Sequence, residues 1–208
     1  NLAQHLHAQP EEPSVIEFSS TAIFTALPYL PQAIGVGMAR FSGADLLTQL
    51  QVGRLFNLLC YIALAAITLA ILPSFRIMGA AFLFAPTALY LATSLSADPI
   101  NFILPTLLLA VCWRAKLKEN KITVAEQMTL ALLFLTMAML KPPYLIYCGL
   151  ALIIPRERFG SIRKKITSIG LLALPAVVFA VAWNLNYPFI PGIYWQTGAD
   201  PAAMIDKI

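Results

Sequence analysis

The sequence predicts an all-α, polytopic transmembrane helical bundle with about six spans, one of them short. Composition is the first observation behind this prediction. Of the 208 residues, 59% are hydrophobic and only 12% are charged, and the mean hydropathy of +0.76 exceeds the usual range of soluble domains. The second observation is that the apolar residues form long runs. The third is that the basic residues fall in the loops between these runs.

Ten of the fourteen Lys and Arg residues occupy alternate loops. Four lie in residues 114–121, five lie in residues 156–165, and Arg76 lies in a third loop. Positive residues orient membrane proteins with their basic loops in the cytoplasm. We therefore expect these loops to be cytoplasmic and residues 94–101 to face the other side. The remaining four basic residues then also lie on that side: Arg40, Arg54, Lys141 and Lys207.

The chain is predicted to form one membrane domain, residues 1–208, in three parts. Residues 1–45 are expected to be an extracytoplasmic loop with a short interfacial helix, because prolines interrupt its start and about ten apolar residues cannot span a bilayer. Residues 46–185 carry the spans, and residues 186–208 form an extracytoplasmic tail. The chain begins at Asn1 in a polar stretch and ends in what resembles a helix start. We therefore expect a fragment of a longer protein.

The spans follow from the apolar runs and the residues that end them. A capping box of Thr123 and Glu126 starts the fourth span, and Pro142 and Pro143 end it. The fifth run is too short to cross the hydrocarbon without help, so a short or tilted helix is expected there. The first run is expected to extend upstream to Asp45. The six runs are residues 55–72, 77–93, 100–113, 123–140, 144–154 and 166–183.

Several functional classes are excluded by these patterns. The net charge of +4 does not indicate a nucleic-acid partner, because the basic residues flank apolar runs in short loops. The cysteines lie within apolar runs and are predicted to be packing residues. His5 and His7 do not make a metal site, and none is predicted. The sequence contains no nucleophile elbow and no glycine-rich phosphate loop after a strand.

Two cations at the ends of predicted spans are candidate ligands for a phosphate group. Arg54 precedes the first apolar run, with Asn57 and Tyr61 expected on the same helical face. It serves either as an interfacial anchor or as a bidentate phosphate ligand. Lys141 precedes two prolines, where it either complements the helix dipole or binds substrate.

A polar patch occupies the loop between the second and third predicted spans. It contains Ser94, Ser96, Asp98 and Asn101 within the sequence SLSADPIN. Asp98 before Pro99 is a typical helix start, with Asp98 expected as the N-cap. The same patch is suited to a ligand hydroxyl group or a divalent cation. We also expect Arg54, Asp98 and Lys141 to approach one another around an outward-facing cavity.

The order of these pieces resembles the bacterial membrane-protein family named domain of unknown function 2142. The likeness covers nearly the whole chain, and its motifs are LPYLPQAIG, GRLFNLL, SLSADPIN, KPPYL and ADPAAMIDKI. That family resembles the C-type glycosyltransferases, which use polyprenyl-phosphate-linked sugars. The resemblance implies a multi-pass protein of the bacterial inner membrane with an extracytoplasmic active face, acting in cell-surface polysaccharide assembly.

The implied partners are membrane lipid, a lipid-linked sugar donor and a glycan acceptor. Arg54 and Lys141 lie in the family's motifs and would bind the substrate phosphate, while Asp98, Ser96 and Asn101 would form the polar or ion-binding patch. The catalytic base expected after a first span would lie upstream of Asn1. The loop carboxylates Glu11, Glu12 and Glu17 match no pattern for that role. The alternatives are a non-enzymatic transporter or flippase subunit for a lipid-linked glycan, and a purely structural subunit in which these charges are dispensable.

Overall fold

The computed structural model describes residues 25–186, and every element of regular secondary structure in this part of the chain is a helix. The stretch with His5, His7, Glu11, Glu12 and Glu17, and the predicted tail, lie outside the described residues. The α-helices are α1 (Leu30–Phe41), α2 (Leu46–Ile71), α3 (Arg76–Leu83), α4 (Pro86–Ala92), α5 (Asp98–Lys116), α6 (Val124–Leu140) and α7 (Ile162–Asn186). Shorter 3₁₀ helices occupy Leu27–Tyr29, Pro142–Ile153 and Arg156–Arg158.

Helices α2 and α7 have the length and composition of membrane spans. They contain 26 and 25 residues, or about 39 and 37 Å at 1.5 Å per residue, against a hydrocarbon thickness of about 30 Å. In their most apolar windows only 22% and 17% of residues are buried. A soluble protein would bury such helices, so the exposed apolar surface indicates that lipid covers them.

The chain runs back and forth between two ends of the bundle. We call one the basic end, because it carries Arg76 and the loops 114–121 and 156–165. The other is the Asp98 end, where α5 begins and α6 finishes. At the basic end the Trp113 indole Nε1 donates a hydrogen bond to Ser74 Oγ at 2.9 Å, which joins α5 to the segment after α2.

The main core lies between α5, α6, α7 and the Pro142–Ile153 segment. Its fully buried side chains include Leu108, Phe134 and Met137. Cys112 and Cys148 are buried in this core, in keeping with the packing role predicted for them. A second cluster centred on Tyr61 and Leu83 joins α2 to α3 and α4.

The second predicted span, residues 77–93, is not one continuous helix. It consists of α3 with 8 residues and α4 with 7 residues. Pro86 is the first residue of α4, and a proline in the middle of a helix would lack the amide hydrogen and clash with the preceding turn. Residues 84 and 85 therefore separate α3 from α4.

The fifth run is a short helix, as the sequence predicts, and it has 3₁₀ geometry. Its 12 residues, Pro142–Ile153, extend about 24 Å at the 3₁₀ rise of 2.0 Å per residue, against about 18 Å for an α-helix. The tighter winding therefore lets a short run return from the Asp98 end to the basic end.

Two helix starts agree with local sequence signals. The Thr123 hydroxyl accepts the Glu126 amide at 3.3 Å while Glu126 Oε2 accepts the Thr123 amide at 2.9 Å, which confirms the predicted capping box. The Asp45 carboxylate caps α2 by accepting the Thr48 amide at 3.3 Å. The long first helix expected from residue 45 onward is thus present.

Buried Arg158 connects three segments at the basic end. Only 2% of its side chain is exposed. It donates to the carbonyl oxygens of Asn120 at 2.6 Å and Ala115 at 2.8 Å, and to Glu126 Oε2 at 2.8 Å. Glu126 also accepts hydrogen bonds from Lys118 Nζ at 2.8 Å and from the Thr123 amide at 2.9 Å. Two cations therefore hold this carboxylate in the first turn of α6, where a negative charge complements the helix dipole.

Helix α1 packs closely against the first half of α2 through glycines. A Cβ atom at Gly35 would lie 2.8 Å from the Val52 carbonyl oxygen and 2.9 Å from Phe56 Cβ. At Gly53 a Cβ atom would lie 2.7 Å from Val36 Cγ2. The two helix backbones therefore approach each other at a distance that side chains would prevent.

We expect Gly35→Ala to destabilise the α1–α2 pair by about 1–3 kcal/mol, because the new methyl group overlaps a backbone oxygen that cannot rotate away. Gly37→Ala is the matched control on the same helix, since nothing lies within 4 Å of its added Cβ atom. Thermal unfolding of the purified proteins measures both effects. Equal stability of the two variants would contradict the close approach at Gly35.

Candidate functional site

A lateral groove of about 980 Å³ runs along α5. Helices α3 and α4 line one side and the Pro142–Ile153 segment lines the other. Residues of α5 from Asp98 to Trp113 line it, which corresponds to a length of about 22 Å at 1.5 Å per residue. Phe75 and Met78 on its rim are 64% and 68% exposed, so the groove is open to the side.

The polar lining of the groove is concentrated at the Asp98 end. Asp98 and Asn101 contribute a carboxylate and an amide, and Tyr144 and Tyr147 contribute two phenols. The two tyrosine rings contact edge to face with centroids 5.3 Å apart. The middle of the groove is lined mainly by apolar side chains, such as Phe102. The groove is therefore amphipathic along its length.

Asn101 has an unsatisfied acceptor in this groove. The residue is 7% exposed, and its Oδ1 atom has no hydrogen-bond partner. A buried polar atom without a partner costs about 1–3 kcal/mol. The oxygen atom itself is buried, so this cost is relieved only when the Asn101 side chain turns toward the groove and accepts a hydrogen bond there.

Asp98 is not the N-cap of α5 as the sequence predicted. The N-cap is Ala97, and Asp98 is the first helical residue with an exposed side chain. Ser96 Oγ instead accepts the Asp98 amide at 3.3 Å. Because Ser96 satisfies this orphan amide, the Asp98 carboxylate remains available at the mouth of the groove.

The charge of Asp98 reaches a tyrosine on another segment. Burial and, secondarily, the charge of Asp98 raise the pKa of Tyr29, which lies in the 3₁₀ turn before α1. Asp98 and Tyr144 both line the groove. Tyr29 therefore lies near enough to this end of the groove for the charge of Asp98 to act on it.

Arg54 differs from Asn57 and Tyr61 in burial. Asn57 is fully buried, and its Nδ2 atom donates to the carbonyl oxygens of Ser94 at 2.8 Å and Ser96 at 3.2 Å. Tyr61 is also fully buried and donates to the Leu83 carbonyl oxygen at 2.7 Å. Arg54 precedes Asn57 by three positions on the same continuous helix but is exposed, so it lies at the edge of the buried face. Asn57 orders the loop that carries Ser94 and Ser96.

Of the three charges expected to converge, two lie at or beside the groove. Asp98 lines it directly. Lys141 is half-buried, and its Nζ atom lies 5.9 Å from the ring centroid of Tyr144, which also lines the groove. Arg54 is not among the described residues that line it. Arg54 directly follows Gly53, where an added Cβ atom would contact Leu95 in the Ser94–Ser96 loop. Arg54 therefore lies near this loop in the chain but outside the groove.

Tyr144 and Tyr147 are site residues that sequence reasoning did not single out. Both belong to the segment KPPYLIY, in which the lysine and the two prolines are the more prominent sequence signals. Their spacing of three places them on one side of a 3₁₀ helix, where residues i and i+3 align. If the segment is assumed to be a 3₁₀ helix, the spacing of Tyr144 and Tyr147 predicts that their rings lie next to each other.

The chemistry available at the Asp98 end is that of hydrogen bonding and charge. A carboxylate and an amide oxygen accept hydrogen bonds from hydroxyl groups, aromatic rings pack against apolar faces, and a nearby ammonium attracts anions. Within residues 25–186, no three His, Cys, Asp or Glu side chains cluster as a metal site would require. The apolar remainder of the groove is suited to a hydrocarbon chain.

The long apolar helices and the exposed apolar surface define the chain as a helical membrane protein. It belongs to the family described as Predicted membrane protein (DUF2142), which matches residues 3–205. This match confirms the family resemblance seen in the sequence motifs. Searches of curated proteins and of solved structures found no match.

Proposed function

We propose that this protein is a membrane glycosyltransferase that uses a polyprenyl-phosphate-linked sugar donor in cell-surface polysaccharide assembly. The observation that carries the proposal is the lateral groove, which is apolar along α5 and polar at the Asp98 end. A lipid-linked sugar has the same division, with a hydrocarbon chain and a hydroxylated, charged head.

The apolar part of the groove would hold the lipid chain of the donor. Its length of about 22 Å covers most of a hydrocarbon layer of about 30 Å. Because Phe75 and Met78 on the rim are exposed, a chain could enter sideways from the bilayer without leaving hydrocarbon. Each methylene that leaves water contributes about 0.8 kcal/mol to binding, whereas exchange from lipid contributes less.

The Asp98 end would hold the donor head group. Lys141 beside Tyr144 would bind the phosphate and stabilise the charge that develops on the leaving group. Arg54, exposed on α2, would add a second phosphate contact from outside the groove. Asp98 and Asn101 would accept hydrogen bonds from hydroxyl groups, with Ser96 ordering the loop; a divalent cation at Asp98 is the alternative ligand.

The catalytic base is assigned to no described residue. Family resemblance implies an acidic residue upstream of Asn1, which would take the acceptor proton. The proposal includes a six-span chain in the bacterial inner membrane, with the basic end cytoplasmic and the Asp98 end extracytoplasmic. The alternating basic loops support this orientation.

The second candidate function is transport of a lipid-linked glycan without transfer. The lateral opening of the groove favours it, because a transporter also needs a path by which a lipid enters from the side. In this case the same cations would bind the phosphate, and the sugar would remain on its carrier.

We expect Lys141→Gln and Arg54→Gln in the full-length protein to reduce sugar transfer from a polyprenyl-phosphate donor. Loss of one partner in a partly desolvated charged contact costs about 2–5 kcal/mol, or tens to thousands of times in affinity. Transfer by purified protein in liposomes measures the effect. Exposed Lys164 at the basic end supplies the control Lys164→Gln, with the same change in charge.

Unchanged transfer by both variants would overturn the phosphate assignment. If the full-length wild type captures the donor lipid but transfers no sugar to any tested acceptor, the transport function replaces the enzymatic one. Membrane insertion and protein level are compared for every variant, so that a folding defect is distinguished from a binding defect.

A further inference from the structure

A second, smaller cavity lies at the basic end, separate from the groove. It has a volume of about 230 Å³ and lies between the end of α2, the end of α5 and the start of α6. Ile71, Val111 and Leu130 form its apolar part, and Arg114, Lys118 and Thr129 are among its polar lining residues.

The apolar and cationic parts follow one another along α5. Val111 and Arg114 are three positions apart in α5, so they lie on one helical face with the cation toward the loop. Lys118 follows four residues later, just beyond the helix end. A ligand placed here would meet hydrocarbon on one side and positive charge on the other.

The charges around this cavity leave a positive excess. Glu126 lines it but already bonds to Lys118 Nζ at 2.8 Å and to Arg158 Nη2 at 2.8 Å. Arg114 is exposed, and within residues 25–186 it has no ion-pair partner. One carboxylate therefore faces three cations, and the guanidinium of Arg114 is available to an anion.

We propose that this cavity binds the head group of an anionic phospholipid from the surrounding bilayer. A guanidinium binds phosphate oxygens with two parallel hydrogen bonds. The phosphate of a zwitterionic lipid can accept the same bonds, but its head group has no net charge and is attracted less strongly. The Thr129 side chain lies on the same wall, but its hydroxyl group already donates to the Ala125 carbonyl oxygen at 2.8 Å, so the phosphate contact depends on Arg114. The volume fits a head group, so the acyl chains would lie outside along Ile71 and Val111.

Basic pockets between transmembrane helices are a known type of site for anionic head groups. Here the phosphate would join α5 to α6 beside the Arg158–Glu126 ion pair. The bound lipid would thus stabilise the basic end of the bundle. This inference does not depend on the proposed glycosyl transfer, because it concerns a different cavity and a structural lipid.

Native mass spectrometry of the purified full chain with added phosphatidylglycerol or phosphatidylethanolamine tests this site. We expect wild type to retain phosphatidylglycerol preferentially and Arg114→Gln to lower its retention about tenfold, because glutamine lacks the charge and the paired donors that bind the phosphate. Lys121→Gln is the matched control, because Lys121 lies in the same loop but does not line the cavity.

A second pair of variants changes no charge. Thr129→Trp should fill the cavity and also lower phosphatidylglycerol retention, whereas Met128→Trp on the neighbouring exposed position should not. Equal retention of the two lipids by wild type would overturn the proposal, as would equal losses in Arg114→Gln and Lys121→Gln. Displacement of the lipid by millimolar inorganic phosphate would overturn it in favour of a site for a free anion.

Discussion

Leu109→Trp is expected to abolish most of the binding of a lipid-linked donor. Leu109 lines the middle of the groove on α5 and is 43% exposed, so the larger indole would extend into the groove and not into the core. The effect is steric, because the displaced part of the chain returns to the bilayer and not to water. Overpacking a filled site costs about 1–3 kcal/mol, which corresponds to a loss of affinity of roughly 5- to 150-fold.

A photoreactive polyprenyl-phosphate probe in liposomes measures this effect as crosslinking to residues of α5. Leu132→Trp is the matched control, because Leu132 is 63% exposed on α6 and does not line the groove. Strong crosslinking in Leu109→Trp at the wild-type position would contradict the assignment of the groove to the lipid. Equal losses in the two variants would point to a general effect on membrane packing.

Arg158→Met is expected to destabilise the basic end by about 3–5 kcal/mol, the usual cost of removing one partner from a buried ion pair. The change leaves Glu126 Oε2 and the carbonyl oxygens of Ala115 and Asn120 without their arginine donors. For a chain of this size the melting temperature should fall by roughly 6–20 °C. Thermal unfolding in detergent micelles measures the change.

Arg156→Met is the neighbouring control. The Arg156–Glu157 ion pair is exposed, with 68% and 69% of the two side chains accessible, and such pairs contribute about 0–1 kcal/mol. A melting temperature for Arg158→Met within the range of Arg156→Met would show that the buried network does not stabilise the fold.

Local signals explain which helix starts could be predicted. The Thr123–Glu126 capping box acts over one turn, so its residues alone determine the start of α6. Asp98 has an equally strong local signal, yet Ser96 satisfies the amide and Ala97 takes the cap position. The difference arises because the residues before Asp98 belong to a loop with its own contacts. Asn57, more than thirty residues earlier, orders that loop by donating hydrogen bonds to the Ser94 and Ser96 carbonyl oxygens.

The site was predictable only in part for the same reason. The polar patch at Asp98 and Asn101 stands out in an apolar sequence, and the structure places both residues in the groove. The exposure of the Arg54 side chain could not be predicted from the sequence, because α2 is apolar on nearly every side. Which face is buried then depends on the glycine contacts with α1 and on Asn57.

The sequence by itself determined that this is an all-helical membrane protein of the DUF2142 family, because composition, apolar runs and ordered motifs do not depend on packing. Only the tertiary structure revealed the groove along α5, the burial of Arg158 and the exposure of Arg54. These features depend on how each helix is rotated against its neighbours. In a membrane protein, the lipid-facing and protein-facing sides are both apolar, so hydropathy carries little information about that rotation.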